Sequence, residues 1–274
     1  MIRVEELTYR YPTGFEALRG INLEISRGEK AAIIGQNGAG KTSLVKHFNG
    51  LLKPTSGNVI VNGVSTREKT TAQLSRWVGY VFQNPDDQLF KNSIREELAF
   101  GPQQLSTDRG KINEIVDKIA HLVGLEPVLD KNPYDLSLSD RKFVSIASVL
   151  TMNQDVVILD EPTAGQSDDK IALLESIIAY LEETGKTIIA IAHDMEFVAG
   201  NFERVIVLKE GSILMDGSPD VVFAQPKKLG TSHLRPPYIS RLCLEFDLPV
   251  CFTVPEFVEV FADSCRKKAN DKSI

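Results

Sequence analysis

The chain has 274 residues, of which 42% are hydrophobic and 25% charged, and a formal net charge of −6. That length holds one large α/β domain with an appendage, or two small domains, and the composition is that of an ordinary globular protein. The acidic balance, with a sequence pI near 5.4, argues against a nucleic-acid backbone as partner.

Strand signals open the chain at Ile2–Tyr9 and Ile21–Ile25, and Glu29–Gly35 carries the apolar core Ala31-Ala32-Ile33-Ile34. A Gly-rich turn and a helix from about Lys41 to Asn49 follow. Gly57–Asn62 and Val78–Phe82 read as further strands. Residues 84–150 lack strand signals, and Ile112, Ile115, Val116, Ile119, Leu122 and Val123 recur at helical spacing, so this span is expected to be a helical subdomain inserted into the sheet domain. Asp155–Asp160, Thr187–Ala192 and Glu203–Leu208 are buried-type strands separated by helical stretches, the alternation of a parallel sheet with helices on both faces. Past Gln225, prolines punctuate short helical pieces at Tyr238–Phe246 and Glu256–Cys265. The expected division is a domain over residues 1–225 and a small helical appendage over 226–274.

The opening MIRVEELTYRY has no secretory signal pattern. The longest apolar runs, such as Val156-Val157-Ile158-Leu159, fall far below the roughly 20 residues that span a bilayer. Any membrane role must therefore come through a partner. Cys243, Cys251 and Cys265 form no C-x-x-C pair and read as reduced thiols.

Chemistry concentrates at two strand ends. Gly35-x4-Gly40-Lys41-Thr42 follows a strand and opens a helix, the context a phosphate loop needs. Its glycines let the backbone wrap an anion, and free N–H groups with the helix dipole attract it. Gly35, Asn37, Gly38, Ala39, Gly40, Lys41, Thr42 and Ser43 are the candidate nucleotide-binding residues, with Lys41 directed at the β- and γ-phosphates and Thr42 at Mg²⁺. At the second end, Asp160 and Glu161 close the run Val156–Leu159 where ligands bind in open α/β sheets. Asp160 is the expected Mg²⁺ ligand, and Glu161 the general base for an attacking water.

Asp160-Glu161-Pro162-Thr163, Gln83 at a strand end and His193 in Ile191-Ala192-His193-Asp194 occur in the order found in ABC ATPases. Phe82-Gln83-Asn84-Pro85-Asp86-Asp87-Gln88, Asn132-Pro133-Tyr134-Asp135-Leu136-Ser137 and Glu161-Pro162-Thr163-Ala164-Gly165 narrow the resemblance to the ATPases of energy-coupling factor (cobalt-type) importers, over roughly residues 1–225. It implies a P-loop NTPase core: a RecA-like parallel sheet, N-terminal antiparallel strands and an inserted helical subdomain. It implies that Tyr11 stacks on adenine, that Gln83 meets Mg²⁺ and the attacking water, and that His193 contacts the γ-phosphate. It also implies a second ATPase subunit, a membrane coupling subunit (T-component) and a substrate-binding membrane subunit (S-component), with this chain peripheral on the cytoplasmic face. Uptake of a vitamin, metal ion or similar micronutrient is the implied task.

Two elements depart from that family. Its subunits complete each other's ATP site with a Leu-Ser-Gly-Gly-Gln segment, and here Leu136 is followed by Ser137, Leu138, Ser139 and Asp140. Leu138 is bulky where glycine lets backbone approach a phosphate. Asp140 brings a carboxylate towards the partner's γ-phosphate, although Ser137 or Ser139 can equally cap the next helix, with Asp140 suiting its dipole. After Ala164-Gly165, Gln166-Ser167 replaces Leu-Asp. Elements serving the chain's own nucleotide are intact, and those donated to a partner's are altered. The expectation is a heterodimer with one complete and one degenerate site. The competing expectation is a mainly regulatory or structural ATP-binding subunit with little turnover.

Overall fold

The computed structural model describes residues 1–105 and 108–271. Its strands are β1 (Ile2–Arg10), β2 (Glu16–Ile25), β3 (Lys30–Ile34), β4 (Ser56–Val61), β5 (Val64–Ser65), β6 (Val78–Val81), β7 (Val156–Asp160), β8 (Thr187–Ile191), β9 (Arg204–Lys209) and β10 (Ser212–Gly217). One sheet is antiparallel in the order β2-β1-β4-β5. The other runs β10-β9-β3-β8-β7-β6 and is parallel except for the β9–β10 hairpin.

The parallel strands are apolar on both faces because both are covered. Along β7, Val156 and Ile158 join a core with the antiparallel sheet and helix α1 (Lys41–Phe48), through Ile2, Leu7, Leu44 and Phe48. Val157 and Leu159 enter the opposite core. Helices fill that side: after the one-turn α2 (Thr71–Leu74) come α3 (Ile94–Gln104), α4 (Arg109–Leu122), α5 (Leu138–Leu150), α6 (Asp168–Glu183) and α7 (Met195–Asn201). In α4, Ile112, Val116 and Ile119 are buried, as the helical spacing requires.

Register decides where the site forms. Val81 pairs with Leu159, Asp160 with Ile191, and Ile33 with Ile191. The strands β3, β6, β7 and β8 therefore end level, and the segments beginning Gly35, Phe82, Glu161 and Ala192 emerge along one carboxyl edge.

Three boundaries differ from the sequence reading. β2 begins at Glu16, because Arg10 pairs with Glu16 and closes a hairpin. The hairpin partner β10 was not foreseen: its turn uses Glu210 and Gly211, both at positive φ, without the Asn-Gly signal that marks such turns. Beyond α8 (Pro219–Phe223), α9 (Pro226–Gly230) and α10 (Tyr238–Glu245), the last helix α11 runs Val254–Asp271, longer than Glu256–Cys265. Pro255 is tolerated there because it lies in the first turn. Cys243, Leu248 and Cys251 form a small separate core with Ile239, Phe257 and Val260.

Candidate nucleotide site

The Gly35–Gly40 loop turns from β3 into α1. Gly38 has φ 79° and Gly40 φ 104°, conformations open to glycine. At Gly40 a Cβ would lie 2.7 Å from the Ala17 carbonyl oxygen, so the loop and β2 touch only because this residue lacks one. No side chain caps α1 at Gly40, which leaves the first-turn N–H groups free for a ligand. Lys41 is 6% exposed and folds back, its Nζ donating to the carbonyls of Gly35 (2.7 Å) and Gln36 (3.1 Å). Burial pulls its pKa below the usual lysine value, while the Glu161 and Asp160 carboxylates pull it back up.

Asp160, 2% exposed, lies beneath the loop. Its Oδ2 accepts from the Tyr80 hydroxyl and from Thr42 Oγ1 at 3.3 Å. Its Oδ1 is buried with no hydrogen-bond partner among the described residues. Burial raises its pKa above the ordinary carboxylate value and Glu161 adds to that, while the Tyr80 and Thr42 hydrogen bonds oppose them. A buried anionic oxygen with an unused lone pair, beside a threonine hydroxyl, suits a hard divalent cation.

Glu161 adopts φ 49°, which turns the chain sharply off β7. Its carboxylate accepts from Gln83 Nε2 at 2.8 Å and lies 3.1 Å from His193 Nε2. The three side chains come from the ends of β6, β7 and β8 and meet at the mouth of a cleft of about 580 Å³. Asn37 to Ser43 form its floor, and Tyr11, Phe15 and Ala17 one wall. Tyr11 stands edge-on to Tyr9, with ring centroids 4.8 Å apart, and its hydroxyl meets Ser43 Oγ at 2.9 Å. Gly35 lies behind the cleft, packed against the Leu208 carbonyl, and does not line it.

The segment Ser137–Asp140 is elsewhere. Its Leu138 and Ser139 border a second cleft of about 330 Å³ with Lys142 and Ala164 to Gln166, and Gln83 lines both clefts. Ser137 caps α5, accepting from the Asp140 N–H, and its hydroxyl donates to Asp140 Oδ2 at 2.7 Å. Asp140 is also paired within the chain: Lys170 Nζ stands 2.7 Å from its Oδ1. The Lys170 and Ser137 hydrogen bonds hold its pKa below the ordinary value. Ser139 Oγ donates to Gln166 Oε1 at 2.6 Å, so the two departures from the family pattern touch each other. Leu138 is 56% exposed.

Sequence reasoning missed Tyr80, Phe15 and Lys142. Tyr80 had a usable signal, since a tyrosine inside the buried strand Val78–Val81 needs a partner for its hydroxyl. Lys142 had none, because the carbonyls it meets lie 19 and 22 residues on, and Phe15 had none, as a loop residue between β1 and β2.

The ABC transporter family model matches residues 18–164. A Methanosarcina acetivorans protein named for ABC transporter ATP binding is 40% identical over 269 residues, which cover 96% of this chain and 44% of that longer protein. The energy-coupling factor transporter ATP-binding protein EcfA of Methanothermobacter thermautotrophicus is 38% identical, covering 93% of this chain and 85% of the relative. Among solved structures, CbiO1 of Clostridium perfringens, described as part of the ABC transporter complex CbiONQ, superposes with a TM-score of 0.75 at 35% identity, over 90% of this chain and 98% of that one. The P-loop core, the antiparallel strands and the inserted helices follow the same fold. The chain belongs to the ABC transporter ATP-binding family.

Proposed function

We propose that this chain is the ATP-binding and ATP-hydrolysing subunit of an energy-coupling factor importer for a vitamin, metal ion or similar micronutrient, one half of a heterodimeric ATPase. The observation that carries the hydrolytic part is the Glu161 carboxylate held between Gln83 and His193 beside an open anion loop. The EcfA relatives and the CbiO1 likeness support the importer class.

In this reading Tyr11 offers its ring face to adenine. The first-turn N–H groups of α1 receive the phosphates, and Lys41 exchanges its two loop carbonyls for phosphate oxygens. Thr42 Oγ1 and Asp160 Oδ1 are the atoms to hold Mg²⁺, whose charge would offset that building on the phosphate oxygens. Glu161 takes the proton of the attacking water, Gln83 Nε2 orients that water, and His193 stands where a γ-phosphate oxygen would arrive.

Tyr11, Lys41, Thr42, Gln83, Glu161 and His193 serve one cleft, while Ser139, Asp140 and Gln166 engage groups of their own chain. That contrast supports a sister subunit that supplies the missing signature. T- and S-components in the membrane are the further partners, with the exposed Phe90 near the surface that would meet them. Among the described residues no helix is long and apolar enough to cross a membrane, which suits a peripheral place on the cytoplasmic face.

The test is Glu161→Gln in the complex that co-purifies with the tagged chain. General-base loss is worth about 10²–10⁴ in rate, so phosphate release should fall by that factor with ATP still bound. Unchanged turnover would favour the regulatory reading, to which the paired signature segment also lends support.

A further inference from the structure

We propose that Lys142 is a positioning residue that holds the Glu161 turn in its hydrolytic geometry and ties it to the signature helix α5; this rests on the reading of Glu161 as general base. Lys142 is 5% exposed. Its Nζ donates to the carbonyl of Glu161 at 2.8 Å and to that of Ala164 at 3.2 Å. Among the described residues it makes no ion pair. A buried ammonium without a carboxylate partner is costly to desolvate, and a methionine would fill the same space without that cost. Burial accordingly pulls its pKa down, against the opposing pull of Glu161 and Asp160.

What the ammonium does is set by the backbone it grips. Glu161 is a non-glycine residue at φ 49°, a strained conformation that persists only where the surroundings impose it. Its N–H is anchored to the Ile191 carbonyl at 2.9 Å. Its C=O accepts from the Ala164 N–H at 3.3 Å and from Lys142, whose second bond, to the Ala164 carbonyl, braces the same turn. With the N–H and the C=O of Glu161 both held, the carboxylate is aimed at Gln83 and His193 and away from the second cleft.

The grip has a second point. Ser139 and Lys142 are three residues apart on α5 and so share a face. Ser139 holds Gln166 while Lys142 holds Glu161 and Ala164. The first two turns of α5, which carry the segment facing a sister's nucleotide, are thereby clamped to the stretch that begins with this chain's own Glu161. A shift of α5 on dimer closure must move that stretch with it.

The experiment compares Lys142→Met and Lys142→Arg with Glu161→Gln in the complex that co-purifies with the tagged chain. Phosphate release gives kcat and KM for ATP, and the purified chain gives ATP affinity and melting temperature. The proposal expects Lys142→Met to lower kcat at least tenfold, with KM and ATP affinity within about twofold of native, and Lys142→Arg to recover most of the rate. Native kcat in Lys142→Met overturns it. So does a loss of kcat that comes with equal losses of ATP affinity and melting temperature, because that marks a packing role. If Glu161→Gln keeps native kcat, the general-base reading falls first, whatever the Lys142 variants do.

Discussion

Returning glycines to the start of α5 tests the asymmetric pair directly. The variant carries Leu138→Gly, Ser139→Gly and Asp140→Gln. Its cost can be worked from the contacts removed. Two glycines in the first helical turn cost about 0.5–1 kcal/mol each. The Ser139–Gln166 hydrogen bond contributes about 0.5–1.5 kcal/mol. The Asp140–Lys170 pair is exposed by about a third on both sides and contributes about 0–1 kcal/mol. Leu138 adds little, being mostly exposed, and Ser137 keeps its place as N-cap. The chain should lose roughly 1.5–4.5 kcal/mol, which in a chain of this size lowers the melting temperature by roughly 3–18 °C. Against that loss, backbone N–H groups gain access to a nucleotide on a second copy. A single preorganised donor of this kind is worth about 10²–10³ in rate. Phosphate release by the purified chain alone should therefore rise at least about tenfold and depend on the square of protein concentration at low concentration. If the variant melts as expected and binds ATP normally, yet hydrolyses no faster, the altered segment is not what restrains this chain. Vigorous cooperative hydrolysis by the native chain alone would refute the reasoning from the other side.

Two further outcomes follow from the ionisable groups. The Asp140 pKa is depressed chiefly by Lys170, so its pairing stabilises the fold above the ordinary carboxylate value of 3.8 and ceases to do so as pH falls through the depressed value. Lys170→Met should lower the melting temperature slightly at pH 7, and the deficit should shrink as pH falls through the depressed Asp140 value. A deficit that persists in acid would instead indicate lost packing of Lys170 on the Phe143 ring. Cys243 and Cys251 are buried, and burial with the neighbouring Cys243 sulfur pushes the Cys251 thiol up to about 12. Iodoacetamide at pH 8 should therefore modify one thiol per native chain, Cys265, and three after denaturation. Rapid labelling of three native thiols would show that the small core around Cys243 opens.

Much of the candidate site was legible because its parts are local in the chain. A strand, a glycine turn and a helix start are adjacent in sequence, so Gly35–Ser43 carries the pattern of a phosphate loop before any fold is known. Asp160 and Glu161 were legible for the same reason, as two acids closing an apolar run. Gln83 and His193 gained meaning only through resemblance, since a glutamine or histidine at a strand end has no local pattern.

Tertiary structure decided which of these residues act together. Level strand ends bring Gln83, Glu161 and His193 within hydrogen-bond reach across 78 and 32 residues of sequence. It also decided the fate of the altered segment. Asp140 had two readings, a carboxylate facing a partner's phosphate or a first-turn helix acid, until the fold brought Lys170 of α6 to 2.7 Å from it. Lys142 read as one cation among 31 until burial removed it from water and, among the described residues, two carbonyls became its partners. Sequence alone determined the glycine turn between a strand and a helix and the two acids closing an apolar strand, because each is a local pattern of neighbouring residues. Which charges are paired, and what the signature helix grips, depended on contacts between distant segments, and only the packed fold creates those.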